Sequence, residues 1–361
     1  MIHFSSARSL SVALAALLAI GLLTPLLAYA KPPTVDHTSL FVGDVGDGTV
    51  KLFNKAIPAA RSNVSADYQG VFANATSATT SNNGVSGLIF VNGTLLAASP
   101  CFYPCADNGT ILKFDARTGA FKGVLVSPTE FGAPFNPRGM VLGPHNVLYV
   151  ADLGDCGFPT GPENCGLIRT YDATSGAFLK AYNATSVLQP QGDQFNPRGV
   201  VFGPNGLLYI SVYDTQNPLT GNILTLNTHT GKFSIFASSH TCACNLHRPE
   251  GLVFGHDGKL WVTSFRANST DVDRLLAFDS KGKLVDSISL EKPGYSVRTY
   301  AQAILFGPGN LLFTPTSAGE LRGYNVVTHS YSTIVNSTST PLVAPWYLTF
   351  RGTDPSTLEF H

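Results

Sequence analysis

Phe135-Asn-Pro-Arg-Gly-Met-Val-Leu-Gly-Pro-His-Asn-Val-Leu-Tyr-Val150 and Phe195-Asn-Pro-Arg-Gly-Val-Val-Phe-Gly-Pro-Asn-Gly-Leu-Leu-Tyr-Ile210 are two copies of one pattern. A third copy is His247-Arg-Pro-Glu-Gly-Leu-Val-Phe-Gly-His-Asp-Gly-Lys-Leu-Trp-Val262, and a more diverged fourth runs from Tyr300 to Phe313. Shorter fragments begin at Val85 (Val-Ser-Gly-Leu-Ile-Phe) and at Pro345 (Pro-Trp-Tyr-Leu-Thr-Phe). The starts Val85, Pro137, Pro197, Pro249, Ala301 and Pro345 lie 52, 60, 52, 52 and 44 residues apart. A period of this length is one supersecondary unit that buries its apolar faces against its neighbours.

Each unit has the same internal order. An apolar strand ends in a Gly-Pro-Asn-Gly-like turn, and a second strand follows, as at Leu148 to Ala151. After a variable loop, a third strand ends in Asp or Asn and a turn, as in Ile111-Leu-Lys-Phe-Asp-Ala-Arg-Thr-Gly119, and a fourth closes the unit at Phe121 to Val126. Short β-branched and apolar runs bounded by Gly, Pro, Asn and Asp are strands. The expected fold is all-β: a six-bladed β-propeller of four-stranded antiparallel blades. The sixth blade is cut short by the C-terminus. Leu40-Phe-Val-Gly-Asp44 and Thr49-Val-Lys-Leu-Phe53 resemble its second and third strands, so strands from both termini close the ring and remove its open edge. Leu358-Glu-Phe360 competes for the second-strand place. An open β-solenoid is the other architecture, although its repeats are usually shorter.

Composition narrows the function. The 361 residues carry 23 Lys+Arg against 23 Asp+Glu, with 13% charged and 44% hydrophobic. No basic run suits nucleic acid, and the apolar content is too high for disorder. Arg8, the apolar run from Leu10 to Leu23, Pro25 and Ala28-Tyr29-Ala30 read as a signal peptide over residues 1–30, cut after Ala30. An uncleaved membrane anchor is the other reading of that run. Residues 31–361 then form one propeller, secreted, without stable membrane insertion, and expected as a monomer. Sequons at Asn63, Asn74, Asn92, Asn108, Asn183, Asn268 and Asn336 predict glycosylation. Six cysteines suit an oxidising compartment as three local pairs: Cys101 and Cys105, Cys156 and Cys165, Cys242 and Cys244. Six allow 15 connectivities, so this pairing is a working one.

In a propeller the first strand of each blade lines the central channel. The second residue of each repeat start, after Pro in four copies and after Val85 and Ala301 in the other two, therefore rings the channel mouth: Ser86, Arg138, Arg198, Glu250, Gln302 and Trp346. Two guanidiniums offer planar forks for carboxylate or phosphate. Glu250 would neutralise one Arg, orient a ligand or hold a cation. A salt-bridged plug, Arg138–Glu250–Arg198, is the structural alternative. The Gly that follows Ser86, Arg138, Arg198 and Glu250 reads as a place with no room for Cβ. His240, Cys242, Cys244 and His247 could instead hold Zn or Cu. Asn268, Asp271 and Asp273 offer oxygen ligands for Ca, without a full calcium-loop motif. His145, His229, His256 and His329 are expected in turns on the opposite face.

The Asn-Pro-Arg-Gly…Leu-Tyr-Val-Ala-Asp pattern resembles the NHL-repeat and gluconolactonase-like six-bladed propellers, over about residues 40 to 361. The resemblance implies a channel-mouth site, and in gluconolactonase-like enzymes a divalent cation, Ca, Mg or Zn, held by Glu, Asn and Asp. Here only Glu250 occupies a comparable position. Streptogramin lyases use His and Glu near the mouth, for which His247 and Glu250 are the nearest residues. Peptidyl-amidoglycolate lyases hold zinc with three channel His, and only His247 is well placed. Two function classes stay open. One is a binding module for an extracellular small anion, glycan or protein, with Arg138 and Arg198 binding, Glu250 and Gln302 orienting and Trp346 stacking. The other is a metal-dependent hydrolase or lyase acting on a lactone or ester, with Glu250 on the metal and His247 as acid or base.

Overall fold

The computed structural model describes residues 34–56, 66–76, 84–101, 108–154, 166–214, 217, 219–291, 298–336 and 341–361. The expected signal peptide, the sequon at Asn63 and the cysteines Cys105, Cys156 and Cys165 lie outside the described residues.

The chain opens with β1 (Leu40–Asp44), β2 (Thr49–Asn54) and β3 (Asp67–Asn74). Five blades of four consecutive strands follow. Blade II is β4 (Gly87–Val91), β5 (Thr94–Ser99), β6 (Thr110–Asp115) and β7 (Phe121–Val126). Blade III is β8 (Pro137–Gly143), β9 (Val147–Asp152), β10 (Leu167–Asp172) and β11 (Phe178–Tyr182). Blade IV is β12 (Pro197–Phe202), β13 (Leu208–Tyr213), β14 (Gly221–Asn227) and β15 (Lys232–Ser238). Blade V is β16 (Leu252–Phe254), β17 (Leu260–Ser264), β18 (Arg274–Phe278) and β19 (Leu284–Ser289). Blade VI is β20 (Leu305–Gly307), β21 (Leu311–Pro315), β22 (Leu321–Asn325) and β23 (Ser330–Val335). Last comes β24 (Pro345–Phe350), which pairs antiparallel with β1, Leu40 opposite Phe350, to give blade I the order β24-β1-β2-β3. The protein is thus a six-bladed β-propeller closed by strands from both ends of the chain. Among the described residues no helix is long and apolar enough to cross a membrane.

Burial explains the repeat. Inner strands are covered on both faces and read as continuous apolar runs, whereas the outer β3 and β7 are largely exposed. The recurring Val-Phe-Gly and Leu-Tyr residues meet between blades as edge-to-face pairs. Tyr149 meets Phe202 at 5.4 Å, Tyr209 meets Phe254 at 5.0 Å and Phe313 meets Phe350 at 4.9 Å. Such pairs add about 0.5–1.5 kcal/mol beyond area burial. Glycine follows the inner-strand aromatic because a Cβ on Gly203 would lie 2.5 Å from Tyr209 and 3.0 Å from Phe254.

Leu358-Glu-Phe360 is not a blade strand, since β1 already holds that place. The tail turns back instead through a single bridge between Thr353 and Phe360. Leu142 N–H donates to Pro355 O at 2.7 Å and Phe202 N–H to Ser356 O at 3.3 Å. The tail therefore lies against the far ends of β8 and β12, away from their Arg-bearing starts.

Candidate functional site

The first strands reach the channel under several restraints. The β8–β9 register slips between Pro137 and Met140, and the β12–β13 register between Pro197 and Val200. Arg138 and Arg198 thus sit in bulges, which bend a strand and re-aim its side chains. Asp152 at the end of β9 is fully buried. It accepts from Asn136 N–H (2.8 Å), Phe135 N–H (3.1 Å) and Arg169 Nε (2.5 Å), fixing the loop that delivers Arg138. Asp44 does the same in blade I for Val343 and Ala344 N–H at 2.7 and 2.8 Å, with Lys51 Nζ at 2.7 Å. Burial alone would raise the Asp44 pKa. The Lys51 ammonium and the two backbone donors outweigh it and hold the carboxyl below its usual range. The glycines after the ring residues are a packing demand, as expected. A Cβ on Gly87 would lie 2.2 Å from Arg138 O, and one on Gly199 2.6 Å from Glu250 O.

All six ring residues line one cavity, with Tyr347 beside Trp346 and Val200, Leu252 and Ile304 among the apolar lining. It leaves about 20 Å³ for the centres of water molecules, room for about one or two waters. Arg138, Arg198 and Glu250 are 9%, 6% and 6% exposed. Arg138 stacks on the Trp346 ring at 4.5 Å, and Arg198 on the Tyr213 ring at 4.2 Å while donating to the Tyr213 hydroxyl. Arg198 Nη1 is 3.7 Å from Glu250 Oε1, a loose ion pair. Arg138 Nε and Arg198 Nε are buried without hydrogen-bond partners. Burial, then the neighbouring Arg198 charge, pushes the Arg138 guanidinium down to about 10 against the pull of Glu250, so it stays charged at neutral pH. Burial raises the Glu250 pKa, opposed by Arg198, Arg138 and Arg248. With Glu250 ionised, the trio carries a net charge of +1 in a nearly dry ring. The Ser86 hydroxyl is committed to Pro137 O at 2.6 Å and stitches blade II to blade III. Gln302 and Trp346 are half-buried at the mouth.

A divalent cation does not fit this ring. Among the described residues Glu250 is the one carboxylate lining the cavity, and two guanidiniums line it as well. Calcium wants six to eight oxygens, and catalytic zinc about three protein ligands.

His247 is not among the cavity-lining residues. Burial lowers its pKa against the pull of Asp271, with Arg274 and Arg248 also lowering it, which places it with the loop between β17 and β18. The structure does not join it to Glu250 as an acid–base pair in the cavity. The His240–Cys242–Cys244–His247 metal cluster is not assembled either. Cys242 and Cys244 form a disulfide, and His240 Nε2 pairs with Asp193 at 2.9 Å. Among the described residues no three His, Cys, Asp or Glu side chains could hold a metal ion. Asp271 is taken by Arg274 at 2.6 Å and Asp273 by Arg298 at 2.7 Å, which removes the calcium reading of that loop. Cys101 is also disulfide-bonded. His145, His229, His256 and His329 are exposed in turns of the opposite face. Of the described sequons, Asn74, Asn92, Asn183, Asn268 and Asn336 are exposed and Asn108 is half-buried.

Sequence reasoning missed Tyr213 and Asp193. Tyr213 follows the aligned part of its repeat, where the only signal is an aromatic ending the second strand of an Arg-bearing blade. Asp193 is buried and accepts from Asn222 Nδ2 at 2.7 Å. Through His240 it ties the loop before β12 to the loop before β16, the loops that deliver Arg198 and Glu250.

No family model matches the chain, and no curated protein matches it. Solved structures do. A streptogramin B lyase superimposes with a TM-score of 0.51 at 15% identity, over 84% of this chain and 81% of the other. The extracellular domain of the B. thetaiotaomicron protein BT4673 gives 0.52 at 14% identity, over 89% of this chain and 36% of the other. A virginiamycin B lyase from Staphylococcus aureus gives 0.48 at 14% identity, over 85% and 87%. At these identities the likeness extends to the propeller architecture.

Proposed function

We propose that this chain is a secreted, glycosylated binding module of the NHL-repeat and gluconolactonase-like kind. In this reading it takes the carboxylate or phosphate head of a small ligand at the channel mouth. The carrying observation is the pair of buried guanidiniums, Arg138 and Arg198, that line one cavity with a single carboxylate and keep unpartnered Nε donors. Buried Arg charges want an anion, and planar guanidiniums meet carboxylate and phosphate with paired hydrogen bonds. The enclosed part of the cavity is small, so in this reading the anionic head enters it and Gln302 and Trp346 meet the remainder. Among the described residues no donor set of the kind the metal-dependent hydrolase or lyase reading needs is assembled. Secretion and glycosylation are supported by the leader-like N-terminus, the disulfide-bonded cysteines and the exposed sequons.

The test is calorimetric titration with small carboxylates and phosphate monoesters beside their neutral amides and alcohols. The anions should bind and the neutral partners should not. Arg138→Met and Arg198→Met should each weaken binding about 10- to 100-fold. Equal binding of anions and neutral analogues, or full affinity in both variants, would sink the proposal.

A further inference from the structure

We infer that the ring holds a monatomic anion of halide size, which the carboxylate or phosphate head of a ligand must displace. This rests on the reading of the mouth as an anion site, and adds what occupies it between ligands.

The charge balance is the first reason. Two guanidiniums and one carboxylate, each at least nine-tenths buried, leave one positive charge in a region of low dielectric. An uncompensated buried charge is among the most costly features a fold carries. Donor geometry is the second. Arg138 Nε and Arg198 Nε have no hydrogen-bond partner, although both residues line the cavity. Trp346 and Tyr213 hold the two guanidinium planes by stacking, which leaves N–H edges, not faces, for an acceptor. Size is the third. About 20 Å³ for water-sized centres admits a monatomic ion or about one or two waters. Water would satisfy the donors without cancelling the charge, and a halide does both.

The experiment is a bromide soak of wild-type crystals with anomalous diffraction. It is paired with melting curves in sodium chloride and in sodium methanesulfonate, whose anion spreads one charge over three oxygens and is a weak hydrogen-bond acceptor, at equal ionic strength. A bromide peak within hydrogen-bond reach of Arg138 and Arg198 is expected. Chloride should raise the Tm of the wild type by about 2–6 °C over methanesulfonate, and that gap should close in Arg138→Met. Chloride should also weaken carboxylate binding competitively. No bromide peak together with equal melting in the two salts would overturn the inference, as would a gap that persists unchanged in Arg138→Met. If carboxylates then still bind through Arg138 and Arg198, the proposed function stands and only the resident halide is lost. If neither anion binds, both fall. The bromide peak needs no variant, so the test does not depend on Arg138→Met folding.

Discussion

Blades III and IV and blades V and VI deliver their ring residues by different backbones. In blades III and IV an Asn-Pro-Arg-Gly start enters a bulge, and Arg138 and Arg198 belong to the inner strand itself. In blades V and VI the inner strand begins later, at Leu252 and Leu305, and the residue two before the ring position is left-handed: Arg248 at φ 43° and Tyr300 at φ 46°. A non-Gly residue there costs on the order of 1–3 kcal/mol, and such strain collects at functional sites. One half of the ring is therefore cationic and held by pairing, and the other presents Glu250 and Gln302 on a strained approach. The ring is lopsided, not a six-fold collar, and its positive side has one loosely held counter-charge.

The sharpest way to break this comparison is to separate the two arginines. Arg198 is the partner of Glu250 at 3.7 Å and of Tyr213, so Arg198→Met strands a buried carboxylate. A loss of roughly 3–5 kcal/mol is expected by denaturant unfolding. Arg138 is buried, and its Nε is unpartnered. Its removal lowers the net charge, so Arg138→Met should cost less than about 1 kcal/mol in halide-free buffer while still abolishing strong anion binding. Equal destabilisation by the two variants would mean that the pairing around Glu250 is symmetric after all.

A smaller effect tests the seam between the halves. A Cβ on Gly199 would meet Leu252 Cδ2 at 2.5 Å and Glu250 O at 2.6 Å. Leu252 can yield, but the Glu250 carbonyl also accepts from the Ser211 hydroxyl and cannot move freely. Gly199→Ala should cost about 1–3 kcal/mol and lower anion affinity by shifting Glu250. Gly206 has nothing within 4 Å of a Cβ but sits at φ 75°, so Gly206→Ala reports backbone conformation alone and should leave anion binding intact. A Gly199→Ala protein with wild-type stability and affinity would show that the blades are looser at this seam than their packing implies.

Much of this was legible in the sequence, for a physical reason. Blade packing repeats, so the Phe-Gly and Leu-Tyr residues repeat, and counting from each repeat start put Ser86, Arg138, Arg198, Glu250, Gln302 and Trp346 around one opening. Strand closure by β1 and β2 was legible for the same reason. What lay between repeats was not. Tyr213, Asp193 and the narrowness of the cavity depend on contacts between loops of different blades, which no single repeat encodes. His247 stands three residues from Glu250 in sequence, yet the left-handed turn at Arg248 and the following Pro249 separate it from the channel. Nearness along the chain was a poor guide where the backbone reverses.

The smallest expected effect is a pH dependence, and its sign follows from Glu250. Burial raises its folded-state pKa above the ordinary 4.5, so folding favours the protonated form. Its contribution to stability is full below 4.5 and is lost as pH rises through the raised folded value. For binding, protonation takes the ring from one net positive charge to two. The affinity for bromide, which does not titrate, should therefore rise as pH falls from neutral toward 4.5, by up to about tenfold. Asp44 has the opposite shift, and its contribution is lost only as pH falls below 3.8 through its lowered value, so the fold survives the binding window. His247 is not among the cavity-lining residues, and burial lowers its pKa below the ordinary 6.5, so the Glu250→Gln profile separates its titration from that of Glu250. Glu250→Gln should flatten the profile at its high-affinity end. An anion affinity that falls on acidification, or a Glu250→Gln profile like the wild type, would assign the field to some other group. Linkage adds a reciprocal check, because an anion that binds the protonated ring more tightly must raise the proton affinity of Glu250 by the same factor, a tenfold preference being about one pKa unit.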